Sequence, residues 1–158
     1  MVTDAEERKR LRVLANGQRF IEEAPVTFIC CADLEAYSAQ ARQRRIQEYI
    51  ESGLFAEWGL TESELRARLA QAPDLPVQER YEHARFNVAI AVQNMVLMAT
   101  ALGLGSCWVG AMDGQAIHDT YKLPDNVRVI VLLSVGYAAE APRPRARLPL
   151  EEIVLRPS

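Results

Sequence analysis

The stretch from Asn87 to Ala111 constrains the fold of this chain more than any other part of the sequence. Its first part is almost wholly apolar, so the helix predicted over residues 82–102 is hydrophobic nearly all round. Such a helix is buried on most sides, either in a core or in a subunit interface. Gly103 stands where a left-handed helix C-cap belongs, and Gly105 to Ala111 is predicted to be a strand. The chain therefore passes directly from a buried helix into the sheet.

The composition is that of an ordinary globular protein. The 158 residues are 49% hydrophobic and 25% charged, which suits one domain, residues 1–158, with a buried core. A net charge of −3 gives no reason to expect a nucleic-acid or membrane-surface partner. The N-terminus lacks the apolar core of a signal peptide, and the apolar run at 88–104 is short for a membrane span and contains Gln93 and Asn94. We expect a soluble, cytoplasmic protein.

Cysteine and histidine are too sparse for a disulfide framework or a metal site. Cys30, Cys31 and Cys107 lie in apolar, strand-like segments, where a free cysteine behaves as a small hydrophobe. Neighbouring residues of a strand point to opposite faces, so Cys30 and Cys31 should not form a bridge. We expect three inert core thiols in a reducing compartment. With only His83 and His118 present, no transition-metal site is expected.

Capping residues and periodicity predict the other elements. Thr3 and Glu6 match a capping box for a first helix that runs to about Phe20, and Thr61 and Glu64 match a second one. Further along the chain, the pattern predicts a strand at 26–32, a helix at 34–53, a helix from 61 to about 70, a proline-containing loop at 72–80, a helix from 113 to about 121 and a strong strand at 127–137.

Three strands among more numerous helices, without regular βαβ alternation, indicate an α+β layered domain. Three strands are few for an independent sheet, so a partner subunit or a strand from the tail would complete it, and both possibilities favour a homodimer. Residues 34–80 are a candidate helical lid or insertion. Residues 138–158 are expected to form an extended tail, since their prolines prevent regular ladder pairing.

The Gly103-Leu104-Gly105 segment is not a dinucleotide fingerprint. That motif requires a strand, a glycine turn and then a helix, so that phosphate meets a helix N-terminus. Here a helix C-terminus leads into a strand, and that end of the helix dipole repels phosphate. The strand Cys107–Ala111 then has two interpretations. In the first, Trp108 and Val109 are core residues and Gly110 is a bulge. In the second, Gly110 lets a flat ligand approach the backbone closely enough to meet its N–H groups.

Two groups of arginines are candidate anion contacts. Arg143, Arg145 and Arg147 alternate with prolines and alanine, so in an extended chain they project to one side and could bind phosphate through bidentate hydrogen bonds. The alternative is a solvated, stiff tail. The cluster Arg42-Gln43-Arg44-Arg45 lies in a predicted helix, and a solvated helix face is favoured there over an anion contact.

Four segments in order resemble the FMN-dependent nitroreductase family. They are GQRFIEEAPVTFICCAD (17–33), the helix containing QNM followed by GLGSCWVGA (103–111), a strand ending in GY (136–137), and PRPRARLPLEEIV (142–154). The resemblance covers most of the chain, and residues 34–80 are its least diagnostic part. It implies a nitroreductase-like α+β fold, with a central mixed sheet flanked by helices.

The resemblance also implies a site and a reaction. Trp108 and Val109 would pack along the isoalloxazine of FMN, the backbone of Gly110 and Ala111 would approach its N5 and O4 edge, and two arginines, Arg145 and Arg147, would contact the phosphate. Members of the family are homodimers with the flavin at the subunit interface. NAD(P)H reduces the flavin, which then reduces a nitroaromatic, a quinone or a related acceptor. The flavin carries the chemistry, so no catalytic side chain and no metal is expected.

The chain departs from the family pattern at its beginning. The R-R-S-x-R-type and S-x-x-N-x-Q-P-W-type segments, which contact phosphate and flavin ring, do not precede the first helix. Asn87 replaces a common aspartate, Ala89 replaces a common glycine, and the arginines at 42–45 lie after the first strand and cannot substitute. Two alternatives follow: a flavin-free homologue that serves as a dimerising or ligand-binding module, or a natural start upstream of Met1.

Overall fold

The computed structural model of the protein describes residues 1–141 and 143–154. The elements in chain order are α1 (Ala5–Leu14), α2 (Phe20–Glu23), β1 (Val26–Asp33), α3 (Ala39–Ser52), α4 (Glu62–Ala70), α5 (Val77–Ala101), β2 (Gly105–Val109), α6 (Gly114–Thr120), β3 (Val127–Gly136) and α7 (Leu150–Ile153), with 3-10 turns at Leu34–Tyr37 and Leu54–Trp58. Within these ranges no helix is long and apolar enough to cross a membrane.

The three strands form one sheet in the order β1-β3-β2. Both pairings are antiparallel, and the register aligns Phe28 and Trp108 with the two sides of Leu133. Because directly paired residues share a face of the sheet, this row lies on one side. The α+β class is confirmed. The parallel strand that a mixed sheet would need is not among the described strands, whose pairings are all antiparallel.

Helices cover both faces of the sheet. One face packs against α1, α2 and α6 through a buried cluster made of Val2, Leu11, Ala15, Ile21, Val109, Ile117 and Leu132. The other face packs against α5, where Val92 contacts Val131 and Leu133. A smaller cluster of Ala32, Leu34 and Ala84 joins the start of α5 to the end of β1. The core therefore consists of two layers with β3 buried between them.

The first helix differs from its prediction at both ends. Asp4, not Thr3, is the N-cap, and its Oδ1 accepts hydrogen bonds from the N–H groups of Glu6 and Glu7. The helix ends at Leu14 and not near residue 20, because the next turn contains two residues with left-handed backbone angles, Asn16 and Gly17. An α-helix cannot pass through such residues.

The region 34–80 is helical but more divided than predicted. The helix expected at 34–53 is a 3-10 turn followed by α3, which Ser38 caps through the N–H of Ala41. The capping box of Thr61 and Glu64 is confirmed at the start of α4. The predicted loop at 72–80 is shorter, since α5 begins at Val77.

An arginine of the predicted solvated cluster has a structural contact instead. The guanidinium of Arg42 donates hydrogen bonds to the carbonyl oxygens of Ala72 and Pro73, each at 2.9 Å. Arg80 holds the same loop from α5, with Nη2 2.6 Å from Asp74 Oδ2. These bonds tie the loop before α5 to α3, whereas Arg44 and Arg45 are exposed as predicted.

The passage from α5 into β2 has the predicted geometry. Gly103 has φ 73°, its N–H donates to Thr100 O at 3.0 Å, and the N–H of Leu104 donates to Ala99 O at 2.8 Å. This pair of hydrogen bonds is a Schellman motif, which ends a helix by turning its last residue left-handed. The strand β2 begins two residues later at Gly105, so α5 leads directly into the sheet against which it packs.

The tail is irregular in its described part. Residues 143–149 contain no helix or strand and are exposed, and the short helix α7 follows, which the sequence did not predict. Residues 142 and 155–158 of the predicted tail lie outside the described residues. Prolines before and inside this segment explain why the tail does not add a strand to the described sheet.

Candidate functional site

The predicted site residues begin on β2, at an edge of the sheet. Trp108 pairs with Leu133 and lies on the α5 face of the sheet, where it remains 39% exposed. Val109 points to the opposite face, is 1% exposed and belongs to the core beneath α1 and α6. The core interpretation therefore holds for Val109, while Trp108 presents a ring to solvent.

The prediction that all three thiols lie in the core is wrong for Cys107. Cys30 and Cys31 are half-buried, and burial raises the pKa of the Cys30 thiol to about 11 and also raises the pKa of Cys31. Cys107 is exposed, although partial burial raises the pKa of its thiol as well. Cys107 lies two residues before the buried Val109 on the same face of β2, so the helices on that face cover Val109 but leave Cys107 exposed.

The turn from β2 to α6 places Gly110 and Ala111 at the surface. A Cβ atom added to Gly110 would meet no other atom within 4 Å, so open space lies beside this backbone. Ala111 O accepts hydrogen bonds from two side-chain amides, Asn16 Nδ2 at 3.3 Å and Gln18 Nε2 at 3.1 Å. A backbone hydrogen bond of 2.9 Å from Asp113 N to Leu14 O also joins the turn to α1.

The polar groups of this turn differ in what they have left to bind. Gly110 O accepts a hydrogen bond from the N–H of Met112 at 3.1 Å, and Ala111 O is occupied by the two amides. Among the described residues, by contrast, no acceptor takes a hydrogen bond from the N–H of Gly110 or Ala111. The turn therefore offers two N–H donors that have no acceptor among the described residues. They belong to exposed residues that directly follow Trp108 and Val109 in the chain, and a Cβ position at Gly110 is open.

The predicted phosphate arginines lie in the described part of the tail. Arg145 and Arg147 are exposed, and the guanidinium of Arg147 donates to Arg145 O at 3.3 Å and to Ala146 O at 3.1 Å. No hydrogen bond or ion pair within the described residues links either side chain to the segment Trp108–Ala111. The site thus divides into a formed backbone turn and two tail arginines that make no hydrogen bond or ion pair with it within the described residues.

Several polar residues near these elements were not expected from the sequence. The Asn16-Gly17 pair is a recognisable turn signal, but nothing in the sequence indicates that Asn16 and Gln18 reach Ala111. On α5, Asn87 Nδ2 donates to the Tyr37 hydroxyl, and the Tyr37 and His83 rings stack with centroids 6.3 Å apart.

The described residues contain no group of three or more His, Cys, Asp or Glu side chains placed to hold an ion. His118 is occupied by structural contacts. Its Nε2 lies 3.1 Å from Pro124 O, and its Nδ1 lies 3.2 Å from Asp119 Oδ1. Both contacts raise the pKa of the imidazole, and the contact with Pro124 O has the larger effect.

Two enzymes are similar to this chain over nearly its whole length. An NADH dehydrogenase of Thermus thermophilus is 29% identical over 155 residues, which cover 98% of this chain and 72% of the relative. An FMN reductase (NADPH) of Bacillus subtilis is 26% identical over 156 residues, which cover 96% of this chain and 53% of the relative. The chain therefore spans about half the length of this second relative.

Solved structures share the fold. A nitroreductase-like protein from Streptococcus mutans superposes with a TM-score of 0.78 at 20% identity, covering 99% of this chain and 75% of that one. The NfrA1 nitroreductase of Bacillus subtilis has a TM-score of 0.66 at 27% identity, covering 97% of this chain and 53% of that one. The profile of the Nitroreductase family matches residues 1–137, which include the β2–α6 turn. This chain therefore belongs to the Nitroreductase family.

Proposed function

We propose that this chain is a flavin-dependent oxidoreductase that binds FMN at the β2–α6 turn, takes electrons from NAD(P)H and reduces a small organic acceptor such as a nitroaromatic or a quinone. Family membership supports the proposal, as do relatives named as an FMN reductase (NADPH) and an NADPH-flavin oxidoreductase. Both of these enzymes are about twice as long as the aligned segment, so their activities come to this chain only as a proposal.

The observation that carries the proposal is the pair of N–H donors at Gly110 and Ala111 that have no acceptor among the described residues. They lie beside space that even a Cβ atom on Gly110 would enter without contact. A flat heteroaromatic ring with acceptor atoms on one edge fits such a place, because glycine permits close approach of a ligand to the backbone. The isoalloxazine of FMN has this shape and these acceptors, so the residues fit the cofactor.

The chain's own residues bind and orient in this proposal. The Trp108 ring supplies apolar contact area, and the buried Val109 side chain anchors β2 in the core so that the following turn is held in place. The N–H groups of Gly110 and Ala111 hold the ring edge. When bound, FMN supplies the hydride and electron chemistry. No side-chain acid or nucleophile is assigned a role.

Arg145 and Arg147 are proposed to bind the FMN phosphate. The guanidinium is the side chain best suited to bidentate contact with phosphate, and both arginines are exposed on an irregular segment that forms no ion pair within the described residues. Such a segment can place these side chains on a ligand without breaking regular structure. The tail would then complete a site whose ring end is formed by β2.

A homodimer is proposed on the evidence of α5. This helix is 25 residues long and buries Ala84, Val92 and Ala99 against the sheet. Its outer face exposes large apolar side chains, among them Phe86, Ile90, Leu97 and Met98. Exposed apolar patches of this kind mark interaction surfaces, and a second copy of the same chain offers a matching apolar surface.

The helical region 34–80 is proposed to act as a lid. Arg42 and Arg80 hold its loop before α5 through hydrogen bonds.

The second candidate is a flavin-free homologue that dimerises or binds another ligand. The observation that favours it is that neither Arg145 nor Arg147 makes a hydrogen bond or ion pair with the β2–α6 turn within the described residues. In that case the exposed α5 face would carry the function and the turn would have none.

An absorption spectrum of the freshly purified protein, followed by a titration with FMN, separates the two candidates. A flavin band that stays with the protein through gel filtration supports the oxidoreductase, and NADH and NADPH oxidation with a nitroaromatic acceptor should then be measured. Colourless protein whose spectrum and fluorescence do not respond to added FMN overturns the flavin proposal.

A further inference from the structure

The Ala111 carbonyl is held by two side chains that are distant in the sequence. Asn16 and Gln18 both follow α1, and each donates a side-chain N–H to this one oxygen. The Gln18 amide also donates to Ala15 O at 3.0 Å, so both of its hydrogens are used. Each of the two lone pairs of a carbonyl oxygen can accept one hydrogen bond, and the Ala111 oxygen is therefore fully occupied.

The two amides determine which polar groups the turn presents. With Ala111 O bound to Asn16 and Gln18, and Gly110 O bound to the N–H of Met112, neither carbonyl needs another donor. The N–H groups of Gly110 and Ala111 are the remaining partners for a ligand. A turn of this kind favours acceptor atoms on whatever approaches it, since an unsatisfied donor facing a donor is costly.

We infer that Asn16 and Gln18 are positioning residues for the flavin, acting through the β2–α6 turn. They fix the Ala111–Met112 peptide, whose N–H donates to Gly110 O. Gly110 O and Ala111 N–H belong to one planar peptide unit, so this chain of contacts orients the Ala111 donor towards the acceptor edge of the flavin ring before the cofactor binds. Binding is strengthened by such preorganisation because less ordering has to accompany it. The inference rests on the proposed function, and it adds residues outside β2 to the site.

The fold itself depends little on these amides. The turn is also tied by the backbone hydrogen bond from Asp113 N to Leu14 O, and Asp113 Oδ1 caps α6 by accepting from the N–H of Ala116 at 2.9 Å. Neither bond requires Asn16 or Gln18. Removing the amides should therefore loosen the Ala111 peptide while α1, α6 and the core between them persist.

A double variant tests the inference. Gln18→Met keeps the side-chain length without a donor, and Asn16→Asp keeps a residue that tolerates the left-handed backbone while replacing the amide donor by a carboxylate. The matched control is Gln115→Met on α6, whose amide donates to Asp119 Oδ1 at 2.8 Å and to no other acceptor among residues 1–141 and 143–154. The measurements are the FMN dissociation constant, the visible spectrum of the bound flavin, hydrogen exchange of the Met112 amide, and the melting temperature without FMN.

We expect the FMN dissociation constant to rise about tenfold. A change of that size corresponds to the loss of about one net hydrogen bond. The bound-flavin spectrum should shift and Met112 exchange should quicken, while the melting temperature changes no more than in the control. Unchanged affinity and spectrum would overturn this inference alone, as would an affinity loss matched by an equal loss of stability. If the parent protein itself takes up no FMN, the proposed function fails with it, before any variant is compared.

Discussion

The hydroxyl oxygens of Thr27 and Ser134 lie 2.9 Å apart inside the sheet, where the two residues are 0% and 4% exposed. They are paired across β1 and β3 and share a row with Cys107 of β2. Thr27 Oγ1 also lies 3.5 Å from Ile21 O, a weak additional contact. Within the described residues, the Ser134 hydroxyl therefore depends on Thr27 for its hydrogen bond, whereas Thr27 also reaches Ile21 O.

Thr27→Val should destabilise the protein by about 1–3 kcal/mol, because it leaves the Ser134 hydroxyl buried without its partner. The double variant Thr27→Val with Ser134→Ala should recover much of that loss, since replacing both partners by apolar groups removes the unsatisfied atom. Urea unfolding of the parent, both single variants and the double variant gives the coupling free energy. Strictly additive effects would contradict the dependence of the Ser134 hydroxyl on Thr27.

Two glycines on either side of β2 should respond differently to alanine. Gly103→Ala forces a side chain into a left-handed conformation and should cost about 1–2 kcal/mol of stability. Gly110 has open space for a Cβ, so Gly110→Ala should leave the melting temperature nearly unchanged and weaken FMN binding by filling that space. The check is thermal unfolding without FMN beside an FMN titration. Equal FMN affinity of Gly110→Ala and the parent would contradict close approach of the flavin to this backbone.

Replacing Arg145 and Arg147 by alanine should lower FMN affinity far more than the melting temperature of the flavin-free protein. A hydrogen bond to a charged group contributes about 1.5–3 kcal/mol, so each lost contact corresponds to about a tenfold or larger change in the dissociation constant. The matched control is alanine at Arg44 and Arg45, which removes two exposed charges from α3. If both double variants bind FMN equally well, the tail is a solvated arm.

The three thiols should react with an alkylating reagent at different rates. The thiolate is the reactive form, and burial raises the pKa of Cys30 to about 11, which leaves little thiolate near neutral pH. Cys107 should be modified first because it is exposed, although its own pKa is also raised. Peptide mass spectrometry after a short exposure to iodoacetamide at pH 8 measures the order. Faster labelling of Cys30 than of Cys107 would disagree with the exposed edge of β2.

His118 should make stability depend on pH. Pro124 O and Asp119 raise the pKa of the imidazole in the folded protein above the usual value of about 6.5. The folded state therefore binds the proton more tightly than the unfolded state. The stabilisation is fully present below the unfolded pKa and is lost as the pH rises through the folded pKa. Unfolding free energies measured from pH 5.5 to 8.5 should fall less in His118→Gln than in the parent. Parallel curves would contradict the assignment.

The sequence alone determined the elements whose signals are local. The Thr61–Glu64 capping box, the Asp113 cap of α6 and the left-handed Gly103 each depend on residues within a few positions, so the start of α4, the start of α6 and the junction of α5 with β2 were predicted correctly. The ordered motifs also identified the family. The extent of the first helix was wrong, because the turn formed by Asn16 and Gly17 overrides a helical pattern.

The tertiary structure decided which side chains reach the site. A strand pattern does not reveal which residues of β2 the helices cover, so it does not show that Trp108 and Cys107 are exposed while Val109 is buried. The contact of Asn16 and Gln18 with Ala111 joins positions more than ninety residues apart. Such contacts depend on how α1 packs beside the sheet, and packing between distant segments leaves no local signal in the sequence.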